Sequence, residues 1–311
     1  MPISNYPNGF NSGVSIRGLP VLNTYAGTVY WVDSATGSNG NRGTYDRPFA
    51  SLDYAIGRCT ANKGDTIMIK PNHAETITGA GGITADVAGI NIIGLGTYNQ
   101  RPRFLMDAGT TVTFLISAAD VLVRNLVFAS GHADVATCFN VTGVGASIIE
   151  CEFVDNVADE NFVTPIKATG AANTADGLRI IGCRNITLDA NAAEFLEITD
   201  NIDHLVVLDN VHYVTGSTAG PLILSAGTKI QRYADIGWNR VQNANTANDL
   251  FIDNGGATNS GLVYNNYVGN VDVTGAQTFG AATGMQFFEN LSTSTSTETG
   301  ALAQAADTPL S

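Results

Sequence analysis

The densest gathering of side chains able to move protons is the acidic group Glu150, Glu152, Asp155, Asp159 and Glu160. Glycosidic cleavage needs two carboxyl groups about 5 to 9 Å apart, or an acidic Ca²⁺ cluster with an Arg or Lys to abstract a proton. If residues 149–153 form one strand, alternation sends Glu150 and Glu152 outward on the same face at about 7 Å, which suits glycosidase chemistry. Outward glutamates on strands mostly serve solvation, however, so no catalytic set is expected, with Glu150, Glu152 and Asp155 as the runner-up. Asp200, Asp203 and His204 with Asp209, and His132 with Asp134, sit in turn-like settings where such residues bond the local backbone. The loop at 33–41, DSATGSNGN, offers oxygen ligands but lacks the acidic density and closing Glu of a Ca²⁺ loop. GxSxG, HExxH, Walker-type and GxGxxG motifs are absent from suitable contexts. Neither a cofactor nor a metal is expected.

The elements that must carry these residues repeat. Short motifs centred on Asn125, Cys151, Cys183, Asn210, Asn239, Asn266 and Asn290 recur every 24 to 32 residues, each flanked by alternating apolar positions. Residues 65–69 (DTIMI) and 89–93 (GINII) look like two earlier turns without the central Asn. Short β segments at this period, joined by polar turns and free of helical spacing, predict a solenoid of about nine parallel coils from 64 to 291. At about 4.8 Å per coil the rod is on the order of 40 Å long. The recurrent residue should stack at one bend, each Asn bonding its neighbour or the turn backbone, with Cys151 and Cys183 as small substitutes in the same column.

Before the repeats, Leu52, Ala55, Ile56 and Cys59 fall at helical spacing behind Ser51. They predict a cap helix over 51–60 that covers the open end of the first coil. Residues 1–28 are rich in Asn, Gly, Pro and Ser with scattered apolar residues, among them Tyr6, Phe10, Ile16 and Leu19. This segment is too apolar for a free tail and too irregular for a stable element, which predicts an arm lying on its own solenoid or on a neighbouring subunit. Residues 292–311 are low-complexity and Ser/Thr/Ala-rich, so a disordered or draped tail is expected after a body at 29–291.

Composition narrows the partners. The chain is 44% hydrophobic but only 14% charged, with 34 Gly, a texture of tight turns and a polar surface of low charge density. The net charge of −13, from 15 basic against 28 acidic residues, disfavours nucleic acid as a partner. The four cysteines lack CxxC spacing and are expected to be buried thiols. The opening MPISNYPNGFNSG has no basic and apolar leader, and no run is long enough to span a membrane, so synthesis in the cytoplasm without a signal peptide is expected.

The stretch Trp31-Val-Asp33, Gly37-Ser-Asn39, Gly43-Thr44, Pro48-Phe49-Ala-Ser51-Leu52 and Gly64-Asp65-Thr-Ile67 resembles the opening of the pectin lyase-like right-handed parallel β-helix superfamily. The likeness covers about 29–70, and the repeats extend it to about 291. It implies an all-β, single-stranded right-handed parallel β-helix with a short N-terminal cap helix. It does not choose among polysaccharide lyases, hydrolases, tailspikes and inert virion proteins. Residues 5–20 also resemble bacteriophage proteins encoded among virion structural genes. That resemblance implies a non-enzymatic capsid decoration protein, head fibre or spike on the virion surface. Its implied partners are further copies of itself, as a homotrimer, and a virion protein such as the major capsid protein, with a host-surface glycan as a further ligand. The alternatives are a tailspike-type depolymerase or lyase using the patch at 150–160, and a glycan-binding adhesin. Aromatics towards the C-terminal coils, including Trp238, Tyr264, Tyr267 and Phe288, suit a subunit interface better than a glycan groove.

Overall fold

A computed structural model of the chain describes residues 27–107, 109–155, 160–171, 173–187, 191–214, 222–225, 229–243, 252–254, 258–270 and 284–294, the last few as backbone, and the backbone of Val14–Ile16, Leu19–Val21 and Thr297–Leu302. The chain is a right-handed parallel β-helix. Three sheets run along it: sheet 1 of ten strands, sheet 2 of ten and sheet 3 of seven. Strands of three or four residues dominate. Each sends a central side chain inward, where it stacks on its equivalent one coil away. In sheet 1 this inner row is Ile67, Ile92, Val123, Ile148, Ile180, Val207, Ile236 and Val263, all fully buried and in register. β-Branched residues fit such a row because their stiff side chains pack on a pleated surface.

Sheets 1 and 2 meet at a one-residue corner. Asn125, Glu150, Gly182, Asp209, Trp238, Asn265 and Glu289 occupy it in successive coils, with φ between 51° and 65°. Such a left-handed residue turns the chain sharply and resets the in-out alternation, at a cost of roughly 1 to 2 kcal/mol for a side chain other than glycine. The next residue of each coil therefore points inward: Leu126, Cys151, Cys183, Asn210, Asn239, Asn266 and Asn290. Asn125 thus stands one position before the expected column, and Leu126 fills its place. Its own amide instead binds the Gly94 and Gly96 carbonyls at 2.9 and 3.0 Å. Asn is favoured in both settings, since it tolerates φ > 0 and also bonds backbone, which is why spacing alone misplaced it.

From Asn210 onward the column is a hydrogen-bonded ladder. Each Oδ1 accepts both the backbone N–H and the Nδ2–H of the Asn one coil earlier: Asn210 to Asn239, Asn239 to Asn266 and Asn266 to Asn290, all at 2.9 to 3.1 Å. The second N–H of each amide reaches a carbonyl of the preceding coil: Ile180, Val207, Ile236 and Val263. Asn210 Oδ1 receives the Cys183 amide at 2.8 Å, joining the cysteine rungs to the ladder. Each interior amide then has two donors and two acceptor sites in use, so burial leaves none orphaned.

The N-terminal end carries a helix shorter than the expected one. The helix spans Leu52–Ile56, with Leu52, Ala55 and Ile56 buried. Ser51 does not cap it; the Glu75 carboxylate accepts the Leu52 N–H at 2.9 Å instead. Glycine at 57, a poor helix former, follows the last turn, and Cys59 lies beyond it, only half-buried, with its Sγ donating to the Ala55 carbonyl. At the other end the body runs past 291: strand Leu291–Ser294 pairs antiparallel with Thr297–Leu302, so part of the expected tail is sheet. Val14–Ile16 and Leu19–Val21 likewise pair antiparallel, giving the arm backbone structure that its irregular sequence does not announce. Ile16 and Leu19 are partners in that pair; Tyr6 and Phe10 lie outside the described residues.

Candidate functional site

The acidic patch lies where sheets 1 and 2 meet. Glu150 is a corner residue at φ 54° and Glu152 opens strand Glu152–Asp155, so the two do not share a strand face. The expected alternation fails because the left-handed residue interrupts it, with the buried Cys151 between them. Arg124 holds Glu150 through two parallel bonds, Nε to Oε2 at 2.9 Å and Nη2 to Oε1 at 3.0 Å. This bidentate pairing raises the Arg124 pKa, although both side chains are about half exposed. Glu152 lies between Arg101, at 2.9 Å on Oε2, and Arg184, at 3.4 Å on Oε1.

Arg101 was not among the residues singled out from sequence, yet it organises the patch. It follows the short 3₁₀ turn Tyr98–Gln100 and precedes strand Arg103–Met106. Besides Glu152 it binds the carbonyls of Leu126 and Glu150 through Nη2, at 3.0 and 2.7 Å. One guanidinium therefore ties three coils together. The sequence signal that could have flagged it is weak: a lone Arg before a proline, whose partners lie 25 to 51 residues away.

Two adjoining recesses flank this network. One of about 570 Å³ is lined by Gly96, Thr97, Tyr98, Arg101, Asn125, Glu150, Cys151, Glu152, Gly182 and Arg184. The other, about 330 Å³, is bounded by Tyr98, Asn99, Arg101, Arg103, Val127, Glu152, Val154 and Asp155. Tyr98 stands between them, 92% exposed. Asp155 lines the second recess, whereas Asp159 lies outside the described residues.

The other acid and imidazole groups disperse. Asp203 binds Arg232 at 2.8 Å and Asp200 binds Lys229 at 3.5 Å. His204 and Asp209 occupy left-handed corners at opposite ends of strand Val206–Leu208, and His204 stacks on Tyr233 with centroids 5.0 Å apart. His132 bonds the Ala133 carbonyl, and Asp134 accepts from Asn191. In the loop at 33–41, burial acts to raise the Asp33 pKa, but hydrogen bonds from Thr36 and Ala35 and the Lys70 charge bring it below the usual value. Among the described residues no group of three His, Cys, Asp or Glu is arranged to hold a metal. None of their helices is long and apolar enough to cross a membrane.

Two interior groups were missed from sequence. Glu194 is buried, which raises its pKa, and it accepts from Thr164 Oγ1 at 2.8 Å. His212 is also buried: Nδ1 accepts from Asn185 Nδ2 at 3.1 Å, Nε2–H donates to the Ala193 carbonyl at 3.2 Å, and desolvation lowers its pKa to about 4. Of the thiols, Cys138 and Cys183 are held well above the ordinary range by burial, and Cys59 is pushed up to about 12 by burial and the nearby Asp65. These are packing groups, since a nucleophilic cysteine needs a depressed pKa.

No family model matches the chain, and no curated protein matches it. Among solved structures the chain is similar to one described as a rhamnogalacturonan lyase, at 14% identity and a TM-score of 0.47, over 85% of this chain and 87% of that one. A likeness so distant bears on none of the side chains described above.

Proposed function

We propose that this protein is a non-enzymatic structural component of a bacteriophage virion surface, a capsid decoration protein, head fibre or spike built on the β-helix. The observation that carries the non-enzymatic part is the pairing of both candidate carboxylates. Arg124 engages both oxygens of Glu150, and Arg101 with Arg184 engages those of Glu152. Arg101 also spends donors on two backbone carbonyls, so its guanidinium is part of the wall. With their oxygens bonded to guanidinium groups, neither carboxylate presents an open oxygen to a substrate. The virion location rests on the resemblance of residues 5–20 noted above. Purified protein incubated with capsular and host-surface polysaccharides should leave chain length unchanged, and mass spectrometry of purified particles should detect the protein. Shortened chains, or absence from particles, would overturn the respective half of this reading.

The runner-up is a tailspike-type depolymerase or lyase, with a glycan-binding adhesin as its form without turnover. The two adjoining recesses around Tyr98 favour it, because an exposed aromatic beside paired charges suits a sugar ring. Cleavage abolished by Glu150→Gln or Glu152→Gln would establish the enzyme. Retention on a glycan array without product would establish the adhesin.

A further inference from the structure

Cys151 and Cys183 occupy successive rungs of the corner column, between Leu126 on one side and the first asparagine of the ladder on the other. They stand immediately before Glu152 and Arg184, which are register partners, and the Arg184 N–H donates to the Cys151 carbonyl at 2.9 Å. Neighbouring parallel strands place such paired residues about 4.8 Å apart, inside the Cα separation of about 4.4 to 6.8 Å that a disulfide spans. Both side chains point inward and are buried, and the Cys183 S–H donates to the Cys151 sulfur. Two thiols on neighbouring rungs are otherwise a weak joint, because sulfur is a poor donor and acceptor beside the amides that tie the later coils. Their surroundings give them different roles. Cys151 borders the 570 Å³ recess together with Arg101, and Cys183 does not. Burial acts to raise the Cys151 pKa, but the Cys183 thiol, the Leu126 and Asn125 N–H groups and the Arg101 charge bring it below the ordinary thiol value. A thiol in an electropositive setting at the edge of a recess is the attacking member of a pair. The third buried thiol, Cys138, lies on strand Val135–Val141 of sheet 3, outside the column.

We infer that Cys151 and Cys183 form an oxidation site at which a dissolved hydroperoxide converts the two thiols into a disulfide joining consecutive coils. With hydrogen peroxide the Cys151 thiolate attacks one oxygen and the O–O bond breaks. Cys151 becomes a sulfenic acid, and the other oxygen leaves as water carrying the proton that Cys151 gave up. The Cys183 sulfur then displaces the hydroxyl group of that sulfenic acid. The S–S bond forms, the S–O bond breaks, and the Cys183 proton departs with the hydroxyl as a second water. The two thiols together lose two electrons, and one peroxide gains them. The bridge closes one whole coil, so it restricts the unfolded chain and opposes separation of these two coils. It makes covalent, at this end of the column, the joint that the asparagines make by hydrogen bonding. The inference does not rest on the virion location, and either could fail without the other.

Treating the folded full chain with hydrogen peroxide tests it, with alkylation in urea before and after dithiothreitol and peptide mapping by mass spectrometry. The wild type should lose two of its four titratable thiols and gain a dithiothreitol-sensitive link between the peptides carrying Cys151 and Cys183. The oxidised protein should unfold at a higher urea concentration than the reduced one, with an unchanged far-ultraviolet circular dichroism spectrum. Cys183→Ser should instead hold Cys151 as a sulfenic acid that dimedone traps, and Cys151→Ser should leave Cys183 a free thiol. A wild type that keeps all four thiols would overturn the inference, as would a link from Cys138 to either partner or a Cys183→Ser protein without a dimedone adduct. Should a serine variant fail to fold, the wild-type peptide map decides the matter.

Discussion

Two stretches of the same solenoid fill identical backbone frames with different chemistry. Between about 104 and 153 the inner row of sheet 2 is aromatic, with Phe104, Phe128 and Phe153 stacked at 5.5 and 6.2 Å, and the corner column holds Leu126 and Cys151. Beyond 183 the same row continues as Asn185 and His212, and the same column becomes Asn210, Asn239, Asn266 and Asn290. The aromatic region is held by area, which tolerates substitutes of similar volume. The asparagine region is held by reciprocal bonds, where each rung satisfies both neighbours and any loss is felt on two coils. Register is therefore specified loosely by shape in the first region and by donor and acceptor matching in the second.

The comparison can be broken most forcefully at Phe128, whose ring meets Phe104, Phe114, Phe139 and Phe153. Phe128→Ala should cost about 4 kcal/mol in urea unfolding followed by circular dichroism, while Phe128→Leu should recover more than half of that. Asn239→Leu comes next. It removes the acceptor for two Asn210 donors and the donor to the Val207 carbonyl, so a loss of about 3 kcal/mol is expected with no recovery from similar volume. A cost under about 1 kcal/mol would mean that the column works by packing after all.

A smaller effect separates the regions by pH. His212 has a folded pKa of about 4 against 6.5 for a free imidazole, so between those values the unfolded chain binds a proton that the folded chain refuses. Stability should be unaffected by this group above pH 6.5, fall by roughly 1.4 kcal/mol per pH unit below it, and level off near pH 4. Comparing urea midpoints at about pH 7 and pH 5, the wild type should lose about 2 kcal/mol more than His212→Gln. Equal losses would show that the imidazole is not held neutral. Smallest of all should be Cys183→Asn, which extends the ladder by one rung towards the aromatic region. The new amide would find Asn210 Oδ1 and the Ile148 carbonyl already placed at that site, and stability should stay within about 1 kcal/mol of wild type by the same unfolding assay.

The repeat was legible because asparagine at a coil bend leaves a periodic mark. Part of what stayed hidden lies within one residue of that mark. Asn125 and Asn210 look alike in sequence, but one is the corner and the other the rung after it, and only the backbone at φ 59° tells them apart. The same corner defeated the pairing of Glu150 with Glu152 on one face, since alternation cannot be counted through a left-handed residue. Arg101 was out of reach for another reason: its partners are set by which coils stack, and a side chain crossing between coils has no local spacing. His212 and Glu194 were hidden because an isolated polar residue in an apolar segment gives no sign of whether it faces in or out.

Every interior rung of the asparagine ladder offers its neighbours the same pair of bonds, downward to a carbonyl and upward to an amide oxygen. A duplicated segment of 27 residues, the interval from Asn239 to Asn266, would meet on either side the complements it already carries. The length of such a rod is thus open to growth by copying a stretch of gene, coil by coil, without inventing a new kind of contact.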